Sequence, residues 1–195
     1  MKKKSLALVL ALAMIVVCVV GGTLAWLIAT TPEVKNTFTY GDINIKLEET
    51  DATVAVDGSA TKEFKMIPGY TIAKDPKVTV LAGSEKCYLF VKVAESDNFD
   101  TFMTYEMAAG WTQGDGTNIP SNVYYREVAA STDNQEFGVL ANDKVTVRGD
   151  VTKAMLNGLT EATQPTLTFT AYACQYNSSN GTSFTAADAW ANVGA

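Results

Sequence analysis

The sequence predicts an all-β sandwich with two or more short helices at its periphery. Beyond Tyr40, apolar and polar residues mostly alternate, the period of half-buried strands. Turn dipeptides punctuate that alternation at the spacing typical of sandwiches. A dense apolar run at 86–93, KCYLFVKV, suits a central strand covered on both faces.

The elements follow in order along the chain. Ile43, Ile45 and Leu47 alternate with Asn44 and Lys46, giving a first strand. TVAV at 53–56 runs into an Asp57-Gly58 turn, and Pro68-Gly69 marks another turn within EFKMIPGYTI. DPKVTVLAG sets Val78 and Val80 against Lys77 and Thr79. FMTYEMAAGWTQ and NVYYREVA read as a strand pair joined by Gly114-Asp115-Gly116. FGVLANDKVTVRG and TLTFTAYACQYN supply further strands. Two stretches read as helices. In DVTKAMLNGLTEA, Val151, Met155 and Leu159 share a face behind an Asp150 N-cap. In FTAADAWANVGA, Thr185 and Asp188 form a variant capping box, and Trp190 and Val193 would pin the helix to the sandwich.

The chain has 195 residues, 47% of them apolar, which is enough for one domain with a sizeable core. It contains no histidine. Common zinc-enzyme sites, Ser-His-Asp triads and Cys-His dyads all need an imidazole, so the familiar hydrolytic chemistries are mostly excluded. Net charge is −6, and without Lys2, Lys3 and Lys4 the balance is 12 basic against 21 acidic residues, net −9. Such a surface repels nucleic-acid phosphates and anionic lipid, and no Gly-rich phosphate loop is present. No nucleic-acid partner, metal or cofactor is expected.

Lys2 to Lys4 followed by the apolar run Leu6 to Val20 reads as a secretory signal. Thr23 and Ala25 are spaced as a signal peptidase requires, which places the cut before Trp26. The run is long enough to span a bilayer, so an uncleaved anchor with Trp26 at the interface is the alternative. The small residues favour cleavage, giving a signal peptide at 1–25, an arm at 26–40 and a sandwich domain at 41–195. Membrane contact is then confined to the time before cleavage, and the mature protein is secreted.

Several pieces coincide. The junction GGTLA precedes an aromatic and then NTFTYGDINIKL; MIPGYTIAKDPKVTV, CYLFVKV and LTFTAYACQYN follow. Together they resemble the TasA/camelysin family of exported Gram-positive proteins, which are processed by a SipW-type signal peptidase. The similarity is good over 21–93 and again at 166–176, and weak between. It implies a jelly-roll-like sandwich with short helices, and a structural role in biofilm matrix fibres or at the cell surface. It also implies that the freed arm adds as a strand to the next subunit, itself or a related fibre protein. Val34, Asn36, Phe38 and Tyr40 would fill pockets from one face, while Pro32 interrupts pairing. A head-to-tail contact of that kind propagates into filaments. Residues 30–40 serve equally well as the domain's own first edge strand. The metalloprotease activity attached to some camelysin relatives is not implied here, because its histidine ligands are missing.

Other constellations have plainer readings. Cys87 and Cys174 lie in strong strands and are a candidate disulfide if those strands adjoin, with buried free thiols as the alternative. Arg148-Gly149-Asp150 matches an integrin tripeptide but reads as a strand end and helix cap. Glu95, Asp97, Asp100 and Asp115 are loop acids without an EF-hand pattern. Trp111, Tyr124 and Tyr125 are a carbohydrate-stacking platform if exposed, and core if not. Asn177-Ser-Ser and Asn180-Gly-Thr shape a loop. The leading expectation is a non-enzymatic secreted structural protein. The alternatives are a monomeric adhesin or carbohydrate-binding module and, less favoured, a glycosidase working through two carboxylates.

Overall fold

A computed structural model describes residues 42–55 and 59–193. The signal segment and the arm, with Thr23, Ala25, Trp26, Val34, Asn36, Phe38 and Tyr40, lie outside the described residues. The described chain is mostly strand. In order run β1 (Ile45–Glu48), β2 (Thr53–Val54), β3 (Ala60–Thr61), β4 (Thr71–Ala73), β5 (Lys77–Val80) and β6 (Cys87–Glu95). There follow α1 (Phe99–Phe102), β7 (Met103–Met107), β8 (Thr112–Gln113), β9 (Val123–Val128), β10 (Gln135–Gly138) and β11 (Leu140–Val147). The chain ends with α2 (Lys153–Asn157), a 3-10 turn (Glu161–Thr163), β12 (Leu167–Gln175) and α3 (Ala186–Asn192).

The strands form an all-β sandwich. The principal sheet has the order β12-β6-β9-β8. Facing it are two three-stranded sheets, β1-β5-β10 and β4-β11-β7, with β2-β3 as a separate hairpin. All pairings are antiparallel. The two facing sheets meet at a corner where both β4–β5 and β10–β11 change sheet. Two hydrogen bonds join those crossings, Val139 N to Pro76 O at 2.9 Å and Lys74 N to Asp143 O at 2.8 Å. The stretch FGVLANDKVTVRG is therefore two strands in two sheets. A bulge follows in β11, where Asn142 and Asp143 take left-handed φ of 54° and 53° and the register with β7 shifts.

β6 is central, as its continuous apolar run predicts. Leu89, Phe90 and Val91 are fully buried. Its odd-numbered residues Cys87, Leu89, Val91 and Val93 face Val78 and Val80 of β5. Its even-numbered residues Tyr88 and Phe90 face Trp190 and Ala189 of α3. Each such side chain contributes about 1.5–3 kcal/mol by leaving water. Thus the sandwich is three-layered where α3 covers the outer face of the principal sheet. Thr185 caps α3, accepting from Asp188 N at 3.2 Å while Asp188 accepts from Thr185 N at 3.0 Å.

Two expectations need correction. FMTYEMAAGWTQ divides, because β7 pairs with β11 and only β8 forms the hairpin with β9. Asp150 does not cap α2; Thr152 does, accepting from Met155 N at 3.2 Å, since Asp150 is held by Arg148. Of the two readings for Cys87 and Cys174, the candidate disulfide does not form and the free thiols hold, although the cysteines sit on adjacent strands. The register pairs Cys174 with Tyr88 and Cys87 with Gln175, so the two thiols point to opposite faces of one sheet.

Candidate functional site

β12 and β1 each border a sheet, and among the described residues each pairs on one side only. They lie against one another across the sandwich, forming a seam. The inward residues of β12 are Leu167, Phe169, Ala171 and Ala173; those of the first strand region are Ile43, Ile45 and Leu47. Every one of these apolar side chains is only half-buried. In the next strands inward, Val78, Val80, Leu89 and Val91 are shut off from solvent. The layers of the seam are apolar, and among the described residues its two edge strands each leave one side without a strand partner.

The two ends of the seam differ. At the Phe169 end, Lys74 lies over the rings of Phe169 and Phe64, 5.6 and 5.7 Å from their centres. Its ammonium pairs with Glu49 at 2.7 Å, both side chains 13% accessible. At the other end the inward side chains of β12 shrink to Ala171 and Ala173. Here the described chain begins, with Asp42 O accepting from Glu85 N at 3.0 Å. Ser84 Oγ accepts from Asn44 N at 3.2 Å. Asp42 and Asn44 are therefore tied to the connection between β5 and β6 at this end of the seam.

The opposite side of the sandwich is closed. Trp111 donates its indole N–H to Gly138 O at 2.9 Å, and Ala108 N donates to Val139 O at 2.9 Å. These bonds tie the connection between β7 and β8 to β10 and the corner. Trp111 and Tyr124 pack into the sandwich core, whereas Tyr125 packs with Phe90 on the outer face. The three aromatics therefore make no common platform.

The acids are engaged locally. Tyr105 OH donates to Glu95 at 2.5 Å, and burial together with this carboxylate raises the phenol's pKa well above its ordinary value. Glu95 and Asp100 share a shallow depression with Tyr105 and Tyr124. Asp97 is exposed nearby in the loop before α1. Asp115 accepts from the backbone of Ile119, Thr117 and Asn118 and from the Asn118 side chain. Those donors hold its carboxyl below the usual range. Asp115 is thus the hub of the β8–β9 loop. No group of three metal-ligating side chains occurs among the described residues.

Arg148 and Asp150 of the Arg-Gly-Asp tripeptide clasp each other through two bonds, 2.9 and 3.1 Å. Asn180 accepts from Ser178 Oγ and from Thr182 N, shaping its loop. Two features escaped the sequence reading: the Lys74–Glu49 pair and an inward Arg126 that has no ion pair among the described residues. The second had a signal, since Arg126 shares the parity of Tyr124 and Val128 and so had to face inward. The first had none, because its partners are brought together from separate strands.

No family model, no curated protein and no solved structure matches this chain.

Proposed function

We propose that this is a secreted structural protein of the cell surface or biofilm matrix, which assembles into fibres by donating the arm at 26–40 to the seam of the next copy. The observation that carries this reading is the β1–β12 seam: two adjacent edges that, among the described residues, pair on one side only, above apolar side chains that remain half-buried. An incoming strand would gain main-chain hydrogen bonds from an edge and bury the inward side chains. The arm's period-two set Val34, Asn36, Phe38 and Tyr40 ends in two large aromatics, and the seam end lined by Ala171 and Ala173 would receive them. The resemblance to the TasA/camelysin family and the signal-like amino terminus favour the same reading, with a signal peptidase releasing the arm.

The test is light scattering, with intact mass, on protein beginning at Trp26 and on a truncation beginning at Gly41. Donation predicts growth of the longer form over hours and a monomeric shorter form. If both stay monomeric while the truncation is less stable, the arm completes its own domain and self-polymerisation is wrong.

A further inference from the structure

The described cations that form ion pairs find carboxylates within the chain: Lys46 with Glu48, Lys74 with Glu49, Lys77 with Glu136, Lys86 with Glu127, Arg148 with Asp150. Lys62, Lys65, Lys92, Lys144 and Lys153 have no ion pair among the described residues, and neither does Arg126, which differs from them in carrying a buried nitrogen without a hydrogen-bond partner. It lies on β9 opposite Leu89 of β6 and therefore points between the sheets. Its guanidinium carbon is 4.2 Å from the centre of the Phe137 ring and 5.4 Å from that of Trp111. Its Nε is buried and has no hydrogen-bond partner. Among the described residues it has no ion pair. Burial alone shifts its pKa, downward, with no carboxylate to offset it.

This arrangement is held in place rather than floppy. Trp111 is fixed by its bond to Gly138, and Phe137 belongs to the same strand, β10. Gly110, at φ +88°, passes so close that a Cβ there would stand 3.1 Å from Arg126 Nη2. A long cationic side chain lies against two aromatic rings in a protein with excess carboxylates, yet among the described residues none pairs with it. Cation–π contact compensates only part of the lost hydration.

We propose that Arg126, held between Trp111 and Phe137, is the anchor of a carboxylate-binding site. The ligand is one planar carboxylate, supplied by a small organic acid or by an acidic side chain of another polypeptide. The guanidinium fork matches a carboxylate with two parallel hydrogen bonds, and the contacts with Phe137 and Trp111 restrict where it can lie. A phosphate dianion fits less well, because one cation in a chain of net charge −6 leaves its second charge unmatched.

The experiment follows the Arg126 Nε–H and Trp111 Nε1–H resonances of the purified protein by NMR. Sodium acetate is titrated, with sodium chloride and sodium phosphate as controls, and a protein dilution series is recorded without acetate. A small-acid site predicts saturable shifts with acetate that chloride does not produce. A site filled by another copy predicts shifts on dilution that added acetate reverses. In either case Arg126→Lys weakens the response by at least about tenfold, since an ammonium lacks the fork, and Arg126→Gln abolishes it. The lysine variant keeps the test decisive if the glutamine variant does not fold. Shifts that match those of chloride, together with no change on dilution, would overturn the proposal. So would phosphate binding more tightly than acetate.

Discussion

Trp111 and Gly138 stitch the two layers of the sandwich together, indole N–H to carbonyl at 2.9 Å. Their bond closes one flank, while the β1–β12 flank lacks an equivalent among the described residues. Trp111→Phe would leave the Gly138 carbonyl without this donor. The expected cost is about 1–3 kcal/mol, measured by urea denaturation, with the Trp111–Arg126 contact weakened as well.

The seam makes a prediction of opposite kind. Ala171→Lys and Ala173→Lys put cations where an added strand would bury its side chains. Both positions are half-buried, so a lysine stem can lie along the surface with its head in water. Folding stability should change by no more than about 1 kcal/mol, while fibre growth by light scattering is lost. Growth at the wild-type rate in both variants would move the docking site elsewhere.

Lys74 and Glu49 form an ion pair with little solvent access, and Glu49 Oε1 has no partner of its own. Removing one partner strands the other charge. Lys74→Met or Glu49→Leu alone should cost about 3 kcal/mol. The double variant should recover most of that loss, because two apolar side chains of similar size need no counter-charge. A double-mutant cycle by chemical denaturation measures the coupling.

Trp190 anchors α3, meeting Phe90 and Tyr172 with ring centres 5.2 and 5.6 Å away. Trp190→Ala should cost about 3–5 kcal/mol. Amide exchange should show α3 losing protection ahead of β6, because the helix has few other buried residues.

Burial pushes the Cys87 thiol up to about 11 and the Tyr88 phenol up to about 12. In the unfolded chain both release their protons earlier. Their contribution to stability is therefore complete below the unfolded values, near 9.0 and 10.0, and is lost as pH rises toward the folded ones. Stability should be flat through neutral pH and fall from about pH 9 upward, as read from denaturant midpoints. Native protein should also leave Cys87 unmodified by a thiol reagent at pH 8, and denatured protein should show both Cys87 and Cys174 modified without prior reduction.

Much of the fold is legible in the residues themselves. The alternation in β1 and β5, the apolar run of β6, and the Pro68-Gly69 turn all appear where local pattern places them. In that turn Ile67 O accepts from Tyr70 N at 2.9 Å, with Gly69 at φ +74°. The capping pair Thr185–Asp188 was equally readable, because its geometry spans three residues. Asp150 shows the limit of such reasoning: a competing neighbour, Arg148, took the side chain that local preference assigned to a cap.

The sequence by itself determined which segments extend, which face of each strand is apolar and where the chain turns, since these depend on neighbours a few residues apart. Only the tertiary structure decided that FGVLANDKVTVRG changes sheets at Val139, that Cys87 and Cys174 face away from each other, and that β1 and β12 border one open seam. It also decided that Arg126 lies between aromatic rings with no carboxylate. Each of these depends on which strand lies beside which and in what register. That choice is made by cooperative burial of side chains distant in sequence, and a strand's own residues carry no record of its neighbours.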